Sequence, residues 1–219
     1  MALPSYLSLV NDVLIRMREP AVSTVNENAL SALIGKYVND AKRQVEDSYN
    51  WNALTQTLTA TTAVDVFNYA LVGTGARFKV IEVYNSTDRD YLTPKTSMQM
   101  TQYFLGSPTP IKGSPAYYNF NGVDNNGDTQ VDVYPVPNAA YVLFFNLYMP
   151  QSELALDADQ MLVPKDPVIL LAYARSLVER GEDGGLNSSE AYSMYKSALS
   201  DYIAIESSRY PEEEMWIGT

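Results

Sequence analysis

The order of the fold is decided within residues 41–61, which read AKRQVEDSYNWNALTQTLTAT. Ala41 and Val45 continue a helical spacing, and the charged residues between and after them belong to a solvent-facing side: Lys42, Arg43, Glu46 and Asp47. From Thr55 the chain carries no charge and alternates at period two, which is typical of a strand. The chain therefore changes from helix to strand near Trp51.

Two amphipathic helices are predicted before this junction. In the first, residues 5–18, apolar side chains recur at intervals of three and four, and Pro20 ends the helix. In the second, Asn26 is the expected cap, and the apolar stripe continues to about Tyr49. Each helix has one apolar face, so each must bury that face against another element.

After the junction the chain keeps β character as far as Pro150, with turn signals between the strands. A short helix is expected within residues 91–105. Four further strands are expected at residues 78–84, 116–121, 130–134 and 140–148. The expected turns lie at residues 73–75, 85–88 and 124–128.

Helical periodicity returns after a loop over residues 151–163. Pro167 suits the first turn of a third helix, which Gly181 ends. The capping sequence at residues 187–190, NSSE, opens a fourth helix that runs towards Tyr210. The last eight residues, EEEMWIGT, are expected to form an extended tail.

The predicted fold class is α+β. Two N-terminal and two C-terminal helices form a four-helix bundle, with a β-rich insertion subdomain and an extended C-terminal tail. The bundle is discontinuous and takes residues 1–54 and 151–211. The insertion takes residues 55–150, and the tail takes residues 212–219.

The composition excludes several classes of function. The 219 residues include no Cys and no His, which excludes disulfides, thiolate metal sites and catalysis by either side chain. The net charge of −11 offers no basic surface for binding nucleic acid. The N-terminus carries its basic residues after the apolar stretch, unlike a signal peptide, and no apolar run is long enough to cross a bilayer. A soluble protein is expected.

Two glycine-containing motifs favour turns over ligand sites. Residues 124–128, DNNGD, begin like a calcium loop, but Thr129 takes the sixth position and Pro135 the twelfth, where Gly and Glu are needed. A β-turn is therefore favoured. Residues 73–75, GTG, lack the third glycine of a phosphate-binding loop and favour a hairpin turn.

Paired acidic residues are the remaining candidates for chemistry. Asp88 with Asp90, and Asp157 with Asp159, could serve a hydrolase only if two carboxyl groups faced each other across a substrate. Sequence neighbours on loops favour solvated charge instead. We therefore expect no catalytic residue, no metal site and no cofactor.

Two features suggest contacts with other proteins. Seventeen tyrosines against two tryptophans suit surfaces buried between subunits, and equally suit a tyrosine-rich β core. At the C-terminus, Met215, Trp216 and Ile217, with Tyr210 before them, are candidate partner-docking residues. This apolar cluster fits insertion into a partner, and equally fits folding back on the chain's own helices.

Residues 10–25, VNDVLIRMREPAVSTV, resemble the opening of the tail tubular protein A family, the head-to-tail adaptors of short-tailed (podovirus-type) bacteriophages. That family begins with a Val-Asn-Asp helix and a Gly-Glu-Pro turn, to which Asn11, Glu19 and Pro20 correspond. A second match lies at residues 41–52, where Trp51 follows a basic-Gln helix end. The resemblance implies structural roles for Asn11, Glu19, Pro20 and Trp51.

The chain departs from the family pattern at two turns. Arg18 stands where the family has Gly, and Tyr49-Asn50 replaces the Gly before Trp51. Both turns are thus made without the residue that most readily takes a positive φ. Asn50 is the expected candidate for that conformation in the second turn.

The resemblance implies a non-enzymatic structural virion protein. It would be a ring-forming head-to-tail adaptor of twelve copies that connects the portal to the tail nozzle and forms part of the DNA ejection channel. The implied partners are copies of itself, the portal protein and a nozzle like tail tubular protein B. DNA would pass only in transit, without specific binding, and no membrane is involved. The implied location is the head–tail junction of the virion, after assembly in the cytoplasm of the bacterial host.

Two alternatives from other classes stay open. A receptor- or carbohydrate-binding virion module would use the Tyr- and Asn-rich β segments for ring stacking and amide hydrogen bonds. A carboxylate hydrolase would need a spaced pair of acidic residues in a recognisable setting, which the sequence does not offer.

Overall fold

The structure is a computed structural model that describes residues 3–75, 77–106, 108–181 and 186–209. In these ranges the helices are α1 (Tyr6–Arg16), α2 (Ala29–Ser48), α3 (Ser97–Leu105), α4 (Lys165–Arg180) and α5 (Leu186–Ser207). The strands are β1 (Thr55–Thr61), β2 (Asn68–Leu71), β3 (Lys79–Asn85), β4 (Asp90–Tyr91), β5 (Thr93–Pro94), β6 (Lys112–Gly113), β7 (Tyr117–Val123), β8 (Thr129–Tyr134), β9 (Val136–Pro137) and β10 (Val142–Tyr148). The α+β class is confirmed. The expected tail at residues 212–219 lies outside the described residues.

The chain divides into two compact units. The helical unit consists of Met1–Leu54 and Pro150–Thr219 and contains α1, α2, α4 and α5. The β unit consists of Thr55–Met149 and contains the ten strands together with α3. Formal charge is unevenly shared: the helical unit has 19 acidic against 10 basic residues, and the β unit has 7 against 5.

One core holds the helical unit together, and all four of its helices contribute to it. Helix α4 contacts each of the other three helices. Each fully buried Leu, Ile or Val side chain contributes roughly 1.5–3 kcal/mol relative to an exposed one. Residues at the centre of this core are Leu9, Val13, Ile34, Val38, Val168, Ala172 and Tyr195.

The predicted helix starts are correct at α4 and wrong at two other helices. Asn28, not Asn26, caps α2, because its Oδ1 accepts from Ser31 N at 2.9 Å while Ser31 Oγ accepts from Asn28 N at 3.2 Å. Helix α5 already includes Leu186, so Asn187 lies inside the helix and does not cap it. Gly181 ends α4 in the left-handed conformation, as predicted.

The two turns that lack the family glycine are made differently. Arg18 adopts a left-handed φ of 61° directly after α1. Tyr49, in contrast, is extended with a φ of −152°, and Asn50 is not among the residues with positive φ in the described part of the chain. The expectation for Asn50 is therefore wrong, because the chain leaves α2 in an extended conformation.

Two four-stranded sheets form the β unit, in the orders β1-β10-β3-β4 and β2-β8-β7-β5, and β6 pairs with β9. The pairs β5–β7 and β6–β9 are parallel, and the other pairs are antiparallel. One apolar core includes Val83, Val131 and Phe145 from the two larger sheets. The sequence did not predict β2 or the two-residue strands, which are too short for alternation to show.

The predicted turns have mixed outcomes. Residues 124–128 join the paired strands β7 and β8, so the β-turn is confirmed. Residues 73–75 join β2 to β3, which belong to different sheets, so the hairpin prediction is wrong. The short helix expected within residues 91–105 is α3, which Thr96 and Gln99 cap.

Candidate partner-binding surfaces

Asn11 fixes the connection between α1 and α2. Its Nδ2 donates to Val22 O at 3.0 Å, and its Oδ1 accepts from Val22 N at 2.8 Å. The amide side chain therefore satisfies both backbone polar groups of Val22, a residue of an irregular segment.

Glu19 and Pro20 lie in the turn that follows α1. The Glu19 amide donates to Leu14 O at 2.9 Å, and the Glu19 carboxylate pairs with the guanidinium of Arg180 at the end of α4. Pro20 is exposed and cannot continue the helix. The turn thus links the end of α1 to the end of α4.

Trp51 anchors the end of α2 in the core of the helical unit. The side chain is 2% exposed, and its Nε1 donates to Val45 O at 2.7 Å, so a carbonyl near the end of α2 is satisfied. The Tyr49 ring meets the indole edge-on, with ring centroids 5.6 Å apart.

A buried ion pair fixes the segment that follows the β unit. Lys42 Nζ lies 3.0 Å from Glu46 Oε1, and the two side chains are 2% and 1% exposed, although the sequence placed both on the polar face of α2. Lys42 Nζ also donates to Gln151 O at 2.7 Å, and Gln151 N donates to Glu46 Oε1 at 3.2 Å. Glu46 Oε2 is buried without a hydrogen-bond partner.

The rest of this segment is also fixed by side chains. Asn39 Nδ2 donates to Leu154 O at 3.0 Å, and Leu154 N donates to Asn39 Oδ1 at 2.9 Å. Further along, the carbonyl oxygens of Asp157 and Asp159 accept from the first amides of α1. The loop expected over residues 151–163 is therefore a structured part of the helical unit.

Asp157 and Asp159 are partly exposed loop residues that also have a structural role, which the sequence did not predict. Asp157 Oδ1 accepts from Val25 N at 3.0 Å. Asp159 Oδ2 accepts from Leu156 N at 2.8 Å and from Ala155 N at 2.7 Å, and these bonds lower the pKa of the Asp159 carboxyl. Both carboxylates accept hydrogen bonds from backbone amides, and they do not face each other as catalytic partners.

Replacing Asp159 with asparagine is expected to weaken the acid dependence of stability. A carboxyl whose pKa is lowered by folding contributes stability above its unfolded pKa of about 3.9, and the contribution is lost as pH falls through the folded pKa. Urea unfolding of Asp159→Asn should therefore show lower stability than wild type at neutral pH and a shallower fall below about pH 4. Asp201→Asn, an exposed change on α5, is the control. If the stability of Asp201→Asn fell below pH 4 as gradually as that of Asp159→Asn, the prediction would be contradicted.

Among the described residues of the helical unit, the walls of two cavities that open to solvent bring exposed apolar side chains together. One, of about 630 Å³, lies between α2, α4 and α5 and includes the exposed apolar side chain of Val178. The other, of about 750 Å³, lies at the end of α5 and includes Trp51, Tyr202 and Ile205. Both cavities combine apolar and polar side chains in their walls and are open enough to receive a side chain of another segment.

The β unit has an apolar groove of about 470 Å³ beside α3. Phe67 and Phe104 contact each other there with ring centroids 4.7 Å apart, and Leu105 is 79% exposed. The polar side of the groove is already bonded internally, since Asp132 accepts from Asn68 at 2.7 Å and from Asn121 at 2.6 Å. The groove therefore suits an apolar partner surface better than a sugar.

Strand β1 has an open edge. In the described part of the chain it pairs with β10 on one side and with no strand on the other. Thr62 N donates to Tyr141 O, so the alternate residues Gln56, Leu58 and Ala60 bond to β10. The N–H and C=O groups of Thr55, Thr57, Thr59 and Thr61 consequently face outwards, and β1 contains neither charge nor proline.

The other motifs with possible chemistry are turns. Asp124 Oδ1 accepts from Asp128 N at 2.9 Å and from Asn126 N at 2.8 Å, and the bond from Asp128 contributes most to lowering the pKa of the Asp124 carboxyl. Asp88 and Asp90 are exposed. Within the described ranges, no group of three or more acidic residues could hold a metal ion, and no helix is both long and apolar enough to cross a membrane.

Tyrosines lie in the cores of both units and also on the surface. Tyr6, Tyr118, Tyr134 and Tyr195 are buried, whereas Tyr91 is 60% exposed. Tyr103 stacks on Tyr134 with ring centroids 4.9 Å apart. Tyr210, Met215, Trp216 and Ile217, the expected docking residues, lie outside the described residues.

Comparison with known families decides the class of the protein. The family model of the SU10 adaptor protein matches residues 4–214, a range that includes both units. The chain belongs to the SU10 adaptor protein family. This is a family of phage head-to-tail adaptors, so the predicted resemblance to such adaptors is confirmed. No curated protein matches the chain.

Membership of the SU10 adaptor protein family makes this chain a structural adaptor protein of a bacteriophage. Its place as a virion component at the head–tail junction, with portal and tail components as neighbours, follows from the family. Sequence reasoning missed the burial of the Lys42–Glu46 pair, because the pair is covered by the distant segment at Gln151. It also missed the cavities of the helical unit, whose walls come from separate parts of the chain.

Proposed function

We propose that this SU10 adaptor forms a ring of twelve copies that joins the portal to the tail nozzle and encloses part of the DNA ejection channel. The family match over residues 4–214 carries the proposal. Exposed apolar side chains beside cavities in each unit, such as Leu105 and Val178, are consistent with it because they could pack against another protein.

The two units take different roles in this proposal. The helical residues, 1–54 and 151–211, act as a four-helix bundle domain that contacts neighbouring copies and the portal. The β-rich insertion, residues 55–150, faces a nozzle like tail tubular protein B. Two separate cores, one in each unit, support independent roles.

The segment after α5 supplies further contacts. We propose Tyr210, Met215, Trp216 and Ile217 as residues that dock into a partner during assembly in the host cytoplasm. Tryptophan and tyrosine are frequent anchors of protein interfaces because they bury a large rigid surface at low entropic cost.

DNA passes through the ring without specific contacts in this proposal. The net charge of −11 for each copy repels phosphate groups, and most of it belongs to the helical unit. The protein also performs no catalysis in this proposal: the chain has no His or Cys, Asp124 and Asp159 accept from backbone amides of their own loops, and Asp157 accepts from Val25 N. No membrane and no cofactor take part.

Mixing the purified chain with its portal is expected to give a complex with twelve adaptor copies. Mass photometry gives the mass of the complex, and electron microscopy gives its symmetry. The chain without portal is the control, because ring subunits are often monomeric alone. A chain that stays monomeric in the presence of assembled portal would contradict the proposal.

A further inference from the structure

We propose that, in the free subunit, residues 210–219 of the same chain occupy the cavity at the end of α5. The docking of this tail stands on the geometry of the helical unit alone. A role of this docking in assembly rests on the proposed function, in which the same residues leave the cavity and bind a partner.

The cavity begins where the described chain ends. It has a volume of about 750 Å³, and its walls come from the start of α1, the junction after α2, the segment before α4 and the end of α5. Arg209, the last described residue, is itself part of the wall. The described part of the chain therefore ends at the cavity wall, one residue before the proposed tail.

The tail is long enough to enter the cavity and short enough to stay near it. Trp216 follows Arg209 by seven residues, which span at most about 25 Å when extended. A short tether raises the effective concentration of the attached segment to the millimolar range. The chain's own tail therefore competes well against any unattached ligand for this cavity.

The apolar part of the tail matches the wall of the cavity. Met215, Trp216 and Ile217 are consecutive apolar residues that water solvates poorly. On the wall, Ile205 is 52% exposed, Leu3 is 45% exposed, and Trp51 lies beneath them. Docking would cover both exposed side chains.

The apolar match, and not charge, carries the docking. Residues 212–214 are three consecutive glutamates, whereas the wall has three acidic residues, Asp12, Asp166 and Glu206, against Lys165 and Arg209.

Acrylamide quenching of tryptophan fluorescence in the full-length chain tests the inference. The chain has two tryptophans, and Trp51 is 2% exposed, so only Trp216 reports on the tail. Wild type should show no readily quenched tryptophan. Ile205→Glu places a carboxylate in the cavity and should raise the quenching constant of Trp216 by about tenfold. Adding Trp216→Phe should remove that quenchable emission.

Met194→Glu is the matched control. Met194 lies on the same helix and is 50% exposed, but it is not part of the cavity wall, so its quenching should equal that of wild type. A quenchable Trp216 in wild type would overturn the inference. Protection that disappears on dilution would overturn it as well, because the tail would then come from a second copy.

The quenching experiment and the ring experiment test different claims, so either claim can be refuted while the other stands. Rings that form from subunits with a freely quenchable Trp216 would overturn the intrachain docking and leave the adaptor ring standing. Protected Trp216 in a chain that ignores portal would overturn the ring and leave the docking standing.

Discussion

Replacing Lys42 with methionine is expected to lower the free energy of unfolding by about 3–5 kcal/mol, because the change leaves the Glu46 carboxylate buried without its cation. The same change removes the donor to Gln151 O, and Glu46 Oε2 already lacks a partner. Urea unfolding of the full chain, followed by far-ultraviolet circular dichroism, measures the loss.

Two further variants separate the ion pair from general effects of the substitution. Lys36→Met makes the same chemical change at an exposed position of α2 and should stay within about 0.5 kcal/mol of wild type. The double variant Lys42→Met with Glu46→Leu removes both charges and should recover most of the loss. A Lys42→Met variant as stable as Lys36→Met would show that the buried pair does not matter for folding.

Replacing Trp51 with alanine is expected to destabilise the chain by about 3–5 kcal/mol, the usual range for a large aromatic residue removed from a core. The indole is buried in the core of the helical unit, and its Nε1 satisfies Val45 O. Chemical denaturation with the same optical probe measures the change.

The matched variant is Trp51→Phe. It keeps an aromatic ring and loses the hydrogen bond to Val45 O, so a smaller loss of about 1 kcal/mol is expected. If alanine and phenylalanine had equal effects, the hydrogen bond alone would account for the role of Trp51, and the role in core packing would be refuted.

Periodicity predicted much of the secondary structure because it is a local signal. The stripe through Ile34 and Val38 is buried as expected, and the alternation in β1 and β10 corresponds to real strands. Periodicity does not show which of two nearby asparagines, Asn26 or Asn28, caps α2. Only the structure shows that Asn28 has Ser31 three residues ahead as its reciprocal partner.

Long-range pairs could not be predicted, and they define the candidate site. Lys42 looks like any surface lysine between apolar residues, yet its partner Gln151 is 109 positions away. The cavity at the end of α5 joins residues from four separate parts of the chain. Strand β2 is four residues long, and its pairing with β8 compensates for a weak local pattern.

The open edge of β1 is a place where two free subunits can pair strand to strand. In natural sheets, lysine, proline or a β-bulge often prevents an edge strand from pairing with another chain. Strand β1 (Thr55–Thr61) has none of these features. Uncharged threonine-rich segments of this length can stack into cross-β fibrils at high concentration. Contacts that cover this edge in an assembly would therefore also keep free subunits from pairing through it.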